Sequence, residues 1–436
     1  VTTDPTQPKD SVVRIGELEA ELAQMRRRLA VKEREIAEIH RSHAWRLVHA
    51  LRSIKYRMID PFLGAFGMAW PRRRAAASVA VSAEIVPRVN AYDVICFSTC
   101  DWDARYQRPQ QLMALFAAAG HRVFYVSQQF RANGPPCEAE RKLDNIYEIT
   151  LRGARLDDLD ALRRDASVDT AALFVQFPSW WPLAREARAR FNWPILYDCM
   201  DLHGGFSTVR QAMVAQEDQL IADADVVIAS SAVLEQRALR KRNDVLLLRN
   251  ACDFAHFAKT PRANNLRPVI GYYGAIADWF DSTLVAELAA RRPDWDFILV
   301  GSTYNADLSR LARLPNVSLP GEEAYESVPE WLGRFDVALI PFKRKPLTEA
   351  TNPVKLYEML AAGKPIVSVP IPEVAALVPL VRLASSAIEF EREVEAALRE
   401  DAGAAEARRH FARGETWQHR FHVLQAATAS ALSERA

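Results

Sequence analysis

In this 436-residue chain, the residues able to do chemistry gather where polar clusters follow short apolar runs. The densest cluster is ATNPVKLYEMLAAGKPIV, residues 350–367. Pro353 has a preset φ and no N–H to lose, so a helix is expected to begin there with Asn352 as its cap. Gly363 suits the left-handed residue that ends a helix, and Pro365 forbids continuation. Lys355 and Glu358 then share one face, beside the core positions Val354, Tyr357 and Ala361. A lysine in the first turn opposes the helix dipole, and an anion bound at the amino end would resolve that conflict. The alternative is a solvated Lys–Glu pair. Just upstream, PFKRKPLTEATN adds Lys343, Arg344, Lys345, Glu349 and Asn352. Basic groups at a helix start suit a nucleoside diphosphate, with Glu358 able to accept from ribose hydroxyls.

Three further stretches carry candidate groups. CDWDARYQRPQQL, residues 100–112, crowds Asp101, Trp102, Asp103, Arg105 and Arg108 into a loop after a strand. Its arginines can grip phosphate or carboxylate in bidentate fashion. YDCMDLHGGF, residues 197–206, offers Asp198, Asp201 and His203, suited to general-base work or to hydrogen bonds with hydroxyls. Asp198 can instead cap the turn. GYYGAIADWF, residues 271–280, ends a strand at Gly274-Ala275, where small residues let backbone N–H groups approach a phosphate or sugar. In LRNACDFAHF, residues 248–257, Asn250 and Asp253 are turn-formers and Phe257 can pin the segment between domains. The chain has no GxGxxG and no GxxxxGK[ST], and no HxH, HExxH or carboxylate pattern that suggests a metal site, so neither a dinucleotide fingerprint, a Walker loop nor a metal site is expected.

The elements that must position these groups are short strands alternating with helices. YDVICFS, HRVFYVS, AALFVQF, PILYDCM, ADVVIAS and DVLLLRN read as buried strands of a first domain over 90–258. PVIGYYG, DFILVG, NVSLPG, DVALIPF and PIVSVP repeat the pattern in a second domain over 266–405. The fold class is therefore α/β: two doubly wound, Rossmann-like domains facing a cleft, with ligands beyond the carboxyl ends of the strands. Residues 406–436 read as a C-terminal helical tail, with Trp417 and Phe421 one turn apart.

Residues 1–10 read as a disordered tail. Over 11–75, Ile15, Leu18, Leu22, Met25, Leu29, Ile36 and Ile39 follow coiled-coil spacing, suited to oligomerisation or to a lone helix packing on its own protein. Residues 41–75 are basic, aromatic and amphipathic, which fits a helix on an anionic membrane surface or one docked on the body. A net charge of +1 gives no footprint for nucleic acid. Five scattered cysteines fit a reducing compartment. With a polar N-terminus and no apolar run near ~20 residues, a cytoplasmic location is the expectation, with peripheral attachment to the inner face of the membrane as the further option.

Together these residues resemble nucleotide-sugar glycosyltransferases of the GT-B fold, close to glycosyltransferase family 4, over roughly residues 91 to 430. LRNACDFAHF is similar to that family's Asn-Gly-Val-Asp…Phe signature, and DVALIPF with ATNPVKLYEMLAAGKPIV to its donor-site signature. WDARYQRPQQLM resembles a subgroup acting in bacterial surface polysaccharide assembly, and the coiled coil with SHAWRLVHALR resembles O-antigen enzymes. The resemblance implies a nucleoside-diphosphate sugar as donor substrate, no cofactor and no metal, and retention at the anomeric carbon. It implies donor contacts from Gly274, Ala275, Lys343, Arg344, Glu349, Asn352, Lys355 and Glu358, the last on ribose. It implies a glycan or lipid-linked acceptor near Asp101, Trp102, Arg105 and Arg108, with Asp201, His203 and Lys355 at the reacting centre and a last helix that crosses back to the first domain. The sequence departs from the family pattern in two places. Of the family's two glutamates, separated by seven residues, the second matches Glu358 but the first falls at Ala350, with Glu349 one position off. Asn352-Pro353-Val354-Lys355 stands in place of the Gly-Phe-Gly between them, and the usual arginine and lysine are absent from GYYGAIADWFD. A nucleotide-sugar epimerase, or a module of this fold that binds glycan or scaffolds an assembly, are the alternatives.

Overall fold

Runs such as DVICF, AALFV and ILYDC are buried along their whole length, which marks strands covered on both faces, as parallel sheets are. The computed structural model describes residues 85–131, 133–206, 211–261, 264–303 and 306–435. The expected tail 1–10 and the coiled-coil and basic segment 11–75 lie outside the described residues.

The first sheet contains β1 (Asp93–Phe97), β2 (Val123–Phe130), β3 (Cys137–Leu143), β4 (Ile146–Leu151), β5 (Ala171–Val175), β6 (Ile195–Cys199), β7 (Val226–Ala229) and β8 (Leu246–Leu247). Its order is β3-β4-β2-β1-β5-β6-β7-β8, parallel throughout except that β3 runs antiparallel to β4. The second sheet contains β9 (Val269–Tyr273), β10 (Asp296–Val300), β11 (Val317–Gly321), β12 (Val337–Ile340), β13 (Ile366–Ser368) and β14 (Arg382–Leu383). Its order is β11-β10-β9-β12-β13-β14, all parallel. This is the strand order of nucleotide-binding doubly wound sheets, and the order reverses between β9 and β12. In the first sheet it reverses between β1 and β5. The loops after β1, β9 and β12 therefore lie where such folds bind ligands, and these loops carry Arg105, Gly274 and Lys343.

The β3–β4 hairpin was not expected from the sequence. Its turn places Asn145 at φ 62°, which an asparagine tolerates, and Cys137 and Ala139 alternate inward along a mostly polar strand. The helix Trp417–Ser433 lies on the first domain: Trp417, Phe421 and Leu424 are buried with Leu112, Met113 and Phe116 of the helix Arg108–Ala118. Its approach is fixed by Cys252 N–H donating to Glu415 O at 3.1 Å and Trp417 N–H donating to Cys252 O at 3.3 Å. Phe257 is buried in the second domain's core, while Asp253 caps the short helix Phe254–Phe257 by accepting from His256 N–H.

Candidate functional site

The helix carrying Lys355 runs from Val354 to Ala361, with Pro353 at the cap position, one residue later than the sequence suggested. Asn352 does not cap it. Its side-chain oxygen accepts from Asn250 N–H at 2.8 Å, and its NH2 donates to Tyr357 at 3.0 Å and to Glu373 at 2.8 Å. Asn352 is buried, so it joins the two domains instead of facing a donor. Pro353 is buried as well, and Val354 packs on the first domain's cluster. The helix start faces the junction, which shifts the weight of anion binding from the dipole to the Lys355 side chain.

Lys355 lies at the carboxyl end of β9. Its Nζ donates to the Tyr272 hydroxyl at 3.0 Å and sits over the Tyr272 and Phe342 rings, at 4.6 and 5.0 Å from their centroids. Among the described residues no carboxylate pairs with it. Burial pushes its pKa down to about 8, with Glu358 opposing and Arg105 adding to the shift. Gly274 makes the close approach possible, because a Cβ there would fall 2.6 Å from Lys355 Nζ and its φ of 122° disfavours any side chain. Gly301, at φ 149°, packs directly on the Gly274 carbonyl, where a Cβ would fall 1.9 Å from the oxygen. Ala275 offers its carbonyl to the Tyr272 hydroxyl at 2.8 Å.

Glu358 is buried, and one oxygen accepts from the Tyr273 hydroxyl at 2.5 Å. Burial pushes its pKa up to about 7, against the lowering effects of the Tyr273 bond and Lys355. Adjacent tyrosines on one strand thus reach the two candidate groups separately. The sequence reading passed over both, although a buried tyrosine hydroxyl nearly always needs a partner. Lys343 is half-buried and donates its backbone N–H to Trp279 O at 2.7 Å. Arg344 and Glu349 pair with each other at 2.7 Å on the surface, so neither is held toward Lys355.

In the loop after β1, Arg108 requires correction. It is buried, forks onto Asp198 at 2.7 to 3.1 Å, and donates to Leu248 O at 3.0 Å and Asn250 Oδ1 at 3.1 Å. It has no face left for an acceptor. Trp102 is buried against Tyr125, and Asp101 holds Ser127 and Gln128 at 2.7 and 2.9 Å; both shape the loop. Arg105 reaches across the gap, to Ser302 Oγ at 2.5 Å and Glu322 at 2.8 Å in the second domain, where Gln111 also donates to the Tyr325 hydroxyl at 3.0 Å.

After β6, Asp201 is half-buried and burial raises its pKa, with His203 opposing. His203 is buried, its Nε2 has no hydrogen-bond partner among the described residues, and burial lowers its pKa, which favours the neutral ring. The turn that follows meets the second domain: a Cβ on Gly205 would lie 3.0 Å from Leu347, and Phe206 stands edge-on to Trp279 at 6.2 Å. Among the described residues no His, Cys, Asp and Glu cluster could hold a metal. Among them, too, no helix is long and apolar enough to cross a membrane.

Residues 267–397 match the family described as Glycosyl transferases group 1. A putative teichuronic acid biosynthesis glycosyltransferase, TuaH of Bacillus subtilis (strain 168), is 30% identical over 231 residues, 48% of this chain and 57% of that protein. The chain thus spans little more than half the length of this curated relative. The sucrose-phosphate synthase of Thermosynechococcus elongatus superposes with a TM-score of 0.67 at 15% identity, covering 79% of this chain and 100% of that one. Anabaena Alr3699/HepE, solved in complex with UDP-glucose, superposes with a TM-score of 0.58 at 15% identity, covering 77% and 99%. At these identities the structural likeness speaks for the fold. The chain is therefore similar to Glycosyl transferases group 1 over residues 267–397, within a body that has the GT-B fold.

Proposed function

We propose that the chain is a retaining, metal-independent glycosyltransferase of the family 4 type, moving a sugar from a nucleoside-diphosphate donor to a glycan or lipid-linked acceptor in bacterial cell-surface polysaccharide synthesis. One observation carries this reading: a desolvated ammonium, Lys355, stands without a carboxylate partner over the bare backbone of Gly274, at the point where the second sheet reverses its strand order. The relative in teichuronic acid biosynthesis supports the acceptor class, and the UDP-glucose complex of a protein with the same fold supports the donor class.

In this reading Lys355 holds the diphosphate and stabilises its charge as the glycosidic bond breaks, the kind of preorganised electrostatics that dominates many active sites. Glu358 accepts from the ribose hydroxyls while Tyr273 fixes its orientation. Asp201 and neutral His203 position the acceptor hydroxyl, whose proton passes to the leaving phosphate on the same face of the sugar. Residues 11–75 supply a self-association contact and attachment to an anionic inner membrane face, and the protein works in the cytoplasm.

Calorimetry against UDP-, GDP- and dTDP-sugars, followed by product analysis with a glycan-lipid acceptor, tests the reading. Tight binding of one donor and transfer abolished in Lys355→Ala are expected. No binding of any donor would overturn it.

A further inference from the structure

The loop from Gly274 to Asp281, at the carboxyl end of β9, contains no lysine or arginine. Lys355 alone leaves at least one negative charge of a donor diphosphate unmatched. The loops after β9, β10 and β11 are knitted together: Gly274 N–H donates to Val300 O, Ile276 N–H to Ser302 O and Gly301 N–H to Gly321 O, at 2.7 to 2.9 Å. On this platform rests a cation from the other domain. Arg105 touches Ser302, next in sequence to the Gly301 that abuts Gly274, and Glu322, next in sequence to the Gly321 that accepts from Gly301 N–H. Lys355 Nζ stands on the same Gly274.

We propose that Arg105 serves the donor diphosphate, together with Lys355, and that Glu322 holds its guanidinium in place until the donor arrives. This rests on the glycosyltransferase reading and deepens it. The Arg105–Glu322 pair is partly exposed, with side chains 42% and 50% accessible, and exposed pairs of this kind contribute little. A diphosphate offers the guanidinium two or more charged oxygens in the fork geometry it prefers, so exchange of partner is favourable. Because Arg105 belongs to the first domain and its platform to the second, the bound diphosphate also ties the domains together. Donor occupancy then sets the geometry in which the acceptor is met.

The test is calorimetry with UDP, GDP and dTDP, each compared with its own nucleoside, on wild type, Arg105→Ala, Arg105→Lys and Glu322→Gln, with folding checked by thermal denaturation. Arg105→Ala should weaken the preferred diphosphate about tenfold or more while changing its nucleoside about twofold or less, and Arg105→Lys should fall between. Glu322→Gln should tighten the diphosphate, because a competitor for the guanidinium is gone. If Arg105 is only a latch between domains, Arg105→Ala will affect nucleoside and diphosphate equally and Glu322→Gln will weaken both; that result overturns the inference. Wild-type binding with unaltered Arg105→Ala binding overturns it as well and leaves the glycosyltransferase reading standing. Absence of diphosphate binding by the wild type overturns both.

Discussion

Replacing Lys355 by methionine should move stability and ligand affinity in opposite directions. The pKa of this lysine drops from 10.5 to about 8 on folding, chiefly by burial. At about 1.4 kcal/mol per pH unit, the fold disfavours the charged form by about 3 kcal/mol. The folded pKa lies below the unfolded one, so this penalty is complete below pH 8, shrinks as pH rises from there and is gone above the unfolded value. Methionine keeps most of the stem and removes the charge. It also loses the cation–π contacts with Tyr272 and Phe342, about 1–2 kcal/mol together. The Tyr272 hydroxyl keeps its bond to Ala275 O, so no buried donor is orphaned. Lys355→Met should therefore be about 1–2 kcal/mol more stable than wild type near pH 7, with the gap closing towards pH 10. Binding should suffer in return: two unit charges 4 Å apart at an effective dielectric of 20 attract by about 4 kcal/mol, and allowing for solvent, a diphosphate should bind about 30- to 800-fold more weakly. Urea denaturation from pH 6 to 10 and calorimetry with UDP, GDP and dTDP measure the two effects. A variant that is less stable at every pH, or that binds the diphosphate as wild type does, would refute the reasoning.

Two further substitutions separate ligand contacts from struts. Glu358 has a folded pKa of about 7, above its unfolded 4.5, because burial favours the neutral acid. Its cost to stability is absent below about pH 4.5 and grows to about 3 kcal/mol as pH rises through 7. Glu358→Gln should then match wild type at pH 4.5 in urea titrations and exceed it at pH 8, while losing affinity for the donor's nucleoside. Arg108→Ala strands a buried Asp198 carboxylate and should cost about 3–5 kcal/mol in denaturant unfolding, a loss of stability at every acceptor concentration.

The architecture was legible because buried parallel strands write themselves as short continuous apolar runs, and each run named from the sequence is a strand here. The β3 segment CEAERKL escaped notice because an edge strand with one solvated face carries little apolar signal. The site was legible in part. Lys355 and Glu358 stood out as charges in an apolar helix, and both lie at the carboxyl end of β9. Arg105, Arg108 and Asn352 looked alike in the sequence, since an arginine or asparagine next to turn residues has the same signature whether its partner is a ligand or a buried carboxylate. Only the fold distinguishes them, by supplying Asp198 and Asn250 to two of the three.

That distinction bears on how the two halves of the site are registered. Asp198, Arg108, Asn250 and Asn352 form one continuous buried chain of hydrogen bonds from the end of β6 to the start of the Lys355 helix. Asp201 and His203 follow Asp198 by three and five residues, and Lys355 follows Asn352 by three. Groups proposed for the acceptor and for the donor are thus tied to opposite ends of the same strut. A buried, fully bonded chain of this kind resists change, because breaking one link leaves a desolvated charge or amide unpaired. The Arg105–Glu322 pair is exposed and weakly held. Any relative movement of the domains should therefore pivot about the Asn250–Asn352 link and be taken up at the rim, where Arg105 meets Glu322 and Gln111 meets Tyr325, leaving Lys355 in register with Asp201.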